Sequence, residues 1–279
     1  MNKLFCFLLV YVSASGICQT ISSPAGSFWT AAHVTHLGEN ASVSSLDPRP
    51  LWMAIDSVGR EYGWVIDYED PIYDIKTETS VYSDPRWESI HPGKIPRLPS
   101  GNSFASTYTE VTQPPSSNAT SSVLNKIISD YNTTVNPGTF LVRAEEVGRF
   151  SVVGYSRSSG SGQASILDHH VNLPHIEQNG LEALISLTQE ISAVTGAKVV
   201  LGALPYNLLL PNKVDIGGTN IPARTQLMQI ADSGNTPLIW DLLFDLNDNC
   251  YYLSLAPALK RKGTTGTPTS FTVLKKDSH

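Results

Sequence analysis

Cysteine is scarce in this chain: three among 279 residues, at Cys6, Cys18 and Cys250. Cys6 lies in an apolar N-terminal run, so at most two remain for a processed chain, which is no disulfide framework. Charge is also sparse, at 16% of residues, and the net charge of −6 excludes a general attraction to nucleic acid. No apolar run reaches the roughly 20 residues that cross a bilayer as a helix. The chain contains no Gly-x-Ser-x-Gly elbow, phosphate-binding loop, His-Glu-x-x-His or Cys-x-x-Cys pair. Its stability must therefore come from an apolar core, which a chain of this size builds by burying about 70–75% of its unfolded surface.

What is present begins with an address. Lys3, the apolar run Leu4 to Val12 and the small residues Ser13 to Gly16 follow the plan of a secretory signal over residues 1–16. The implied location is secreted or periplasmic, with no transmembrane span in the mature chain. Lipidation at Cys18 would require Gly or Ala before it, and Ile17 stands there. Residues 17–45 show no sustained period and read as a disordered leader. The closing residues 259–279 carry Lys260, Arg261, Lys262, Lys275 and Lys276, and read as a basic mobile tail.

Between these ends one plan occurs twice. Leu51, Ile55, Val58 and Tyr62 mark a helix that Gly63 stops, and Trp64, Ile66 and Tyr68 alternate as a strand. Leu181, Leu184, Ile185, Thr188, Ile191 and Val194 mark a second such helix, stopped by Gly196 before Val199 to Leu201. Val123, Leu124, Ile127, Ile128 and Tyr131 mark a helix capped by Ser117 or Ser121. Two strands follow, around Phe140/Val142 and Phe150/Val152. Ala223, Leu227, Ile230 and Ala231 repeat that phrase, with Thr219 or Asn220 as cap. The hairpin after them turns at Asn247–Asp248–Asn249, between Leu238/Trp240/Leu242/Phe244 and Tyr251/Leu253/Leu255. A leading strand fits before the second half, at Ile166 to Leu173.

The expected fold is α+β: two small helix-on-sheet modules of βαβ-βαββ type in tandem. Module 1 covers 46–155 with a proline-rich irregular insertion at 72–115, a flexible linker covers 156–165, and module 2 covers 166–258. Pro50-Leu51-Trp52-Met53-Ala54-Ile55 through Tyr62-Gly63-Trp64-Val65-Ile66, and the passage Ala223 to Trp240, resemble the short N-terminal domain of secretins and TonB-dependent receptors. Residues 1–279 show no pattern of the ring-forming region or outer-membrane barrel of those proteins. The resemblance implies binding by contact in the bacterial envelope, to an envelope protein or cell-wall component, with no catalytic residue and no cofactor.

Candidate chemistry is thin. Asp168, His169, His170, His175 and Glu177 are zinc-type ligands. Neighbouring strand residues point to opposite faces, however, so no metal site is expected. Glu69-Asp70 and Glu145-Glu146 read as solvated turn charges. Trp64 and Trp240 fall in register with apolar strand residues and belong to the core. Trp52 and Trp87 lie outside the apolar stripes and are the candidate ligand contacts. A secreted or periplasmic non-catalytic binding module is the leading functional reading. The alternative is a secreted hydrolase or metal-dependent enzyme whose site assembles from distant residues.

Overall fold

The computed structural model describes residues 30–82, 89, 92–93, 96–111, 116–146, 148–158, 165–262 and 270–276. Two strands precede the first helix. β1 (Thr30–Leu37) and β2 (Asn40–Leu46) turn at Gly38, φ +73°, and pair antiparallel. They occupy the second half of the expected disordered leader. Their apolar residues are few, but Ala41 and Val43 alternate inward and are fully buried against the next helix. That helix, α1 (Pro50–Tyr62), buries Leu51, Ala54, Ile55, Val58 and Tyr62 as its spacing predicts. Gly63 ends it at φ +72°, where a Cβ would also come within 2.9 Å of the Lys260 side chain.

The chain continues through β3 (Val65–Glu69) and two short strands, β4 (Thr79–Val81) and β5 (Arg97–Pro99). The expected irregular insertion also contains a regular strand, β6 (Ser103–Thr109), which pairs with β2 along its whole length. Phe104 and Tyr108 anchor it in the core; alternation among Ser, Ala and Thr hides this pattern in the sequence. Helix α2 (Ser117–Asn132) is capped by Ser116, whose hydroxyl accepts from Ala119 N–H, one residue earlier than expected. The hairpin β7 (Thr139–Ala144) and β8 (Arg149–Tyr155) follows.

The second half repeats this order. β9 (His170–Leu173) follows a 3-10 turn at Ile166–Asp168, and β10 (Gln178–Asn179) leads into α3 (Gly180–Thr195). Asn179 and Glu182 form a reciprocal capping box there. The buried stripe of α3 is Ala183, Leu184, Leu187, Thr188 and Ile191, while Ile185 and Val194 face solvent. Then come β11 (Lys198–Leu201), the single turn α4 (Tyr206–Leu209), β12 (Lys213–Val214) and β13 (Gly218–Pro222). Helix α5 (Ala223–Ala231) has Pro222 at its N-cap and no side-chain cap, so neither Thr219 nor Asn220 serves. β14 (Leu238–Asp245) and β15 (Cys250–Pro257) form the hairpin. The expected mobile tail instead contains an antiparallel pair, β16 (Leu259–Lys262) and β17 (Ser270–Val273). It is held by packing of β16 on α1 and by an Arg261–Glu61 ion pair at 2.9 Å.

The fold is α+β, and the two halves share their pairing rules. β3 runs parallel to β8 as β11 does to β15, and β7–β8 and β14–β15 are antiparallel. The outer pair β2–β6 corresponds to β9–β13. The halves are not separate modules, because β14 pairs parallel with β3 and creates one six-stranded sheet, β11-β15-β14-β3-β8-β7. Each half alone would expose a long strand edge, β3 in one and β14 in the other; joining them removes both edges. The join is short, and carboxylates extend it. Asp67 Oδ1 accepts from Trp240 N–H at 3.1 Å, and Asp70 Oδ2 accepts from Phe244 N–H at 3.1 Å.

Two cores lie on opposite faces of this sheet. α1 and α2 cover Ile66, Tyr68, Phe150 and Val152, while α3 and α5 cover Leu238, Trp240, Leu242, Phe244 and Leu253. Trp64 and Trp240 are both buried, at 6% and 0% exposure. The ends of the expected linker are tied down: Ser156 donates to Glu78 at 2.7 Å, and Ser165 caps the 3-10 turn. Among the described residues, no helix is long and apolar enough to cross a membrane.

Candidate functional site

Trp52, Asp56 and Arg60 stand four residues apart along α1, and Met53, Ser57 and Glu61 form the adjacent stripe. The apolar stripe faces the core, which turns these two stripes sideways. Ala32, His33 and Val34 of β1, Asp241 of β14, and Arg261 and Phe271 of the β16–β17 hairpin stand around them. Together they line a cleft of about 470 Å³. Asp241 reaches it because β14 sends Trp240 and Leu242 into one core and its odd-numbered residues to the α1 side. In parallel register with β3, Asp241 lies beside Tyr68.

At the floor, the Trp52 indole N–H donates to Asp241 Oδ1 at 2.9 Å. Burial pushes the Asp241 carboxyl up to about 7; the Trp52 bond opposes this and the nearby Asp56 adds to it. Asp56 is also raised by burial, against the pull of Arg60 at 2.8 Å. The Arg60 guanidinium lies 5.8 Å from the centre of the Phe271 ring. At the rim, Glu61 accepts from Arg261 and lies 3.1 Å from His36 Nε2, whose other nitrogen is 2.6 Å from Glu110. The Glu110 hydrogen bond is the main cause of a raised His36 pKa, because the doubly protonated ring donates to both carboxylates. The cleft thus offers an indole, an acid that changes charge near neutral pH, and two guanidinium groups. That set suits stacking and hydrogen bonding to a polar ligand.

Of the two aromatic candidates, Trp52 lines this cleft and Trp87 lies outside the described residues. The zinc-type residues do not converge. Asp168 is held by Arg143 at 2.6 Å and Arg224 at 3.0 Å, which lower its pKa against the effect of burial. His169 and His170 are exposed, and His175 pairs with Asp215 at 3.1 Å. Among the described residues, no group of three His, Cys, Asp or Glu could hold a metal ion.

Glu69 and Asp70 are not solvated turn charges. They are 1% and 4% exposed, and each meets an arginine from elsewhere in the chain: Arg224 forks onto Glu69, and Arg49 donates to Asp70 at 2.7 Å. Arg149 similarly holds Asp67 through two bonds of 2.8 and 2.9 Å. The residues that sequence reasoning missed, Asp56, Arg60 and Asp241, left a partial signal. The i, i+4, i+8 spacing of Trp52, Asp56 and Arg60 was readable, but the approach of Asp241 depends on the β3–β14 join. Compared with known protein families, curated proteins and solved structures, the chain matches none.

Proposed function

We propose that this chain is a non-catalytic binding module of the bacterial cell envelope, secreted or periplasmic, that contacts an envelope protein or cell-wall component through the Trp52 cleft. The observation that carries this reading is the Trp52–Asp241 pair, which places an aromatic side chain on a charged cleft between the two halves of the chain. Support also comes from the N-terminal pattern Lys3, Leu4–Val12, Ser13–Gly16, which fits export. The repeated order of strands and helices is in keeping with a module that works by contact. A second reading, a hydrolase using Asp241 as a general acid, draws on its pKa near 7 beside Asp56.

The test uses the chain without residues 1–16 as bait on envelope fractions, beside its W52A variant. A partner retained by the parent and lost by W52A is the expected result, and equal retention by both refutes the assignment. Turnover of an envelope polymer that D241N abolishes would select the hydrolase reading instead.

A further inference from the structure

Among the described residues, β6 is a sheet edge without the usual protection. It has seven residues, an unbroken register with β2, no proline and no charged residue. Neighbouring edges are blunted in the ways that prevent unwanted strand pairing. β1 shifts register between Thr30 and His33, and β13 shifts between Gly218 and Ile221 and ends on Pro222. β11 has four residues and carries Lys198, and β7 carries Arg143.

The direction of the β6 backbone follows from its end. Glu110 N–H donates to Glu39 C=O at 2.9 Å, so even-numbered residues bond toward β2 and odd-numbered ones point outward. The outward carbonyl of Ser103 accepts from the Asn136 side chain at 3.3 Å. The outward N–H and C=O groups of Ala105, Thr107 and Thr109 meet no partner among the described residues. Beside them, β6 and the N-terminal half of α2 diverge around a cleft of about 800 Å³, lined by Thr107, Tyr108, Val111, Ala119, Val123 and Lys126 among others. The Ser106–Asp130 hydrogen bond at 2.6 Å joins the strand and the helix further along.

We propose that β6 takes an extended peptide from a partner protein as the fourth strand of its sheet, with alternate apolar side chains of the peptide entering the cleft over Ala119 and Val123. Only an extended backbone matches a row of alternating donors and acceptors. About five residues of peptide span the three free positions. A second copy of this chain fits poorly. Its own β6 commits Phe104 and Tyr108 to its own core, leaving no side chain to fill the cleft. An edge contact through Ser103, Ala105, Thr107 and Thr109 would also bury far less than the roughly 1,200–2,000 Å² of a stable interface. This site is separate from the Trp52 cleft, and its test does not depend on that assignment.

Thr107→Pro removes one outward N–H while leaving the ladder to β2 intact, and Ala119→Arg fills the cleft from the other side. Random peptides displayed on phage are panned on the chain without residues 1–16. The expected result is enriched peptides that slow hydrogen exchange at Ala105, Thr107 and Thr109. Such peptides should bind each variant at least about tenfold more weakly, a loss of about 1.4 kcal/mol. Circular dichroism and thermal midpoint identify a variant that has lost its fold; the other variant then decides. Three results would overturn the proposal: no enrichment, unchanged affinity in the folded variants, or concentration-dependent protection of the same amides without peptide, which would make a second copy the occupant.

Discussion

Replacing Arg224 by Met tests whether buried charge holds the two halves together. Arg224 comes from α5 and Glu69 from β3, and their side chains are 6% and 2% exposed. Arg224 also reaches Asp168 through Nε at 3.1 Å and Nη2 at 3.0 Å. Asp168 would keep Arg143, whereas Glu69 would keep only the Ser165 hydroxyl. The loss therefore falls chiefly on Glu69, with Glu145, whose Oε1 lies 3.9 Å from Arg224 Nε, losing its nearest cation as well; removing one partner of such a buried pair costs about 3–5 kcal/mol. Total stability for a domain is about 5–15 kcal/mol. For a chain of this size, the thermal midpoint should fall on the order of 10 °C. Urea unfolding followed by tryptophan fluorescence gives the free energy, with an unchanged m value if only stability has moved. The double variant E69Q/R224M removes the buried Glu69 charge, leaves only the Glu145 carboxylate without its arginine, and should recover part of the loss. If R224M stays within about 1 kcal/mol of the parent, or the double variant recovers nothing, the charge pair does not have this role. Because the sheet is shared, the parent should unfold in one transition, and two separated transitions would also refute the coupling.

Trp240, fully buried and with its indole N–H unpartnered among the described residues, should cost about 3–5 kcal/mol when changed to Ala and much less when changed to Phe; equal losses in urea midpoint would contradict this. Asp241 has a folded pKa of about 7, above its unfolded value of about 3.9, so the folded chain holds the extra proton and stability falls as pH rises between these values. D241N keeps an acceptor for Trp52 and should make that slope shallower between about pH 4 and about pH 7, leaving the share of Asp67, which burial likewise pushes up to about 7; parallel pH profiles for parent and variant would exclude the shift. Gly63→Ala should cost at least about 1–2 kcal/mol, since it forces a left-handed residue and crowds Lys260, and an unchanged thermal midpoint would speak against that strain.

Helix periodicity was legible because each major helix buries one stripe and ends on a local signal. Gly63 and Gly196 stop α1 and α3 with φ near +70°, and the hairpin turn at Asn249 takes φ +49°. Strands β1, β2 and β6 were not legible, since serine, threonine and alanine carry their alternation and only a few residues reach the core. The buried charges misled for a related reason. Asp67 and Glu69 share one face of β3, opposite Ile66 and Tyr68, which looks like a solvated face until Arg149 and Arg224 arrive from β8 and α5. Long-range arginine partners leave no trace in local spacing.

The same join explains why one candidate aromatic could be found but not its surroundings. Trp52 belongs to the first repeat and Asp241 to the second, and they meet because β14 lies beside β3. The equivalent position beside β11, the second repeat's counterpart of β3, is a sheet edge among the described residues. A cleft of this kind therefore arises once in a two-repeat chain, at the seam, although each repeat encodes a similar helix and strand. The β16–β17 hairpin then closes one side of it by placing Arg261 and Phe271 against α1. Deleting residues 259–279 separates these contributions. The six-stranded sheet and the burial of Trp240 need none of those residues, so the chain should still fold and unfold cooperatively. The cleft would lose the Arg261–Glu61 ion pair and the Phe271 ring beside Arg60. Quenching of tryptophan fluorescence by acrylamide should then rise through Trp52 while circular dichroism stays unchanged. Unaltered quenching in the folded truncation would show that the hairpin does not wall the cleft.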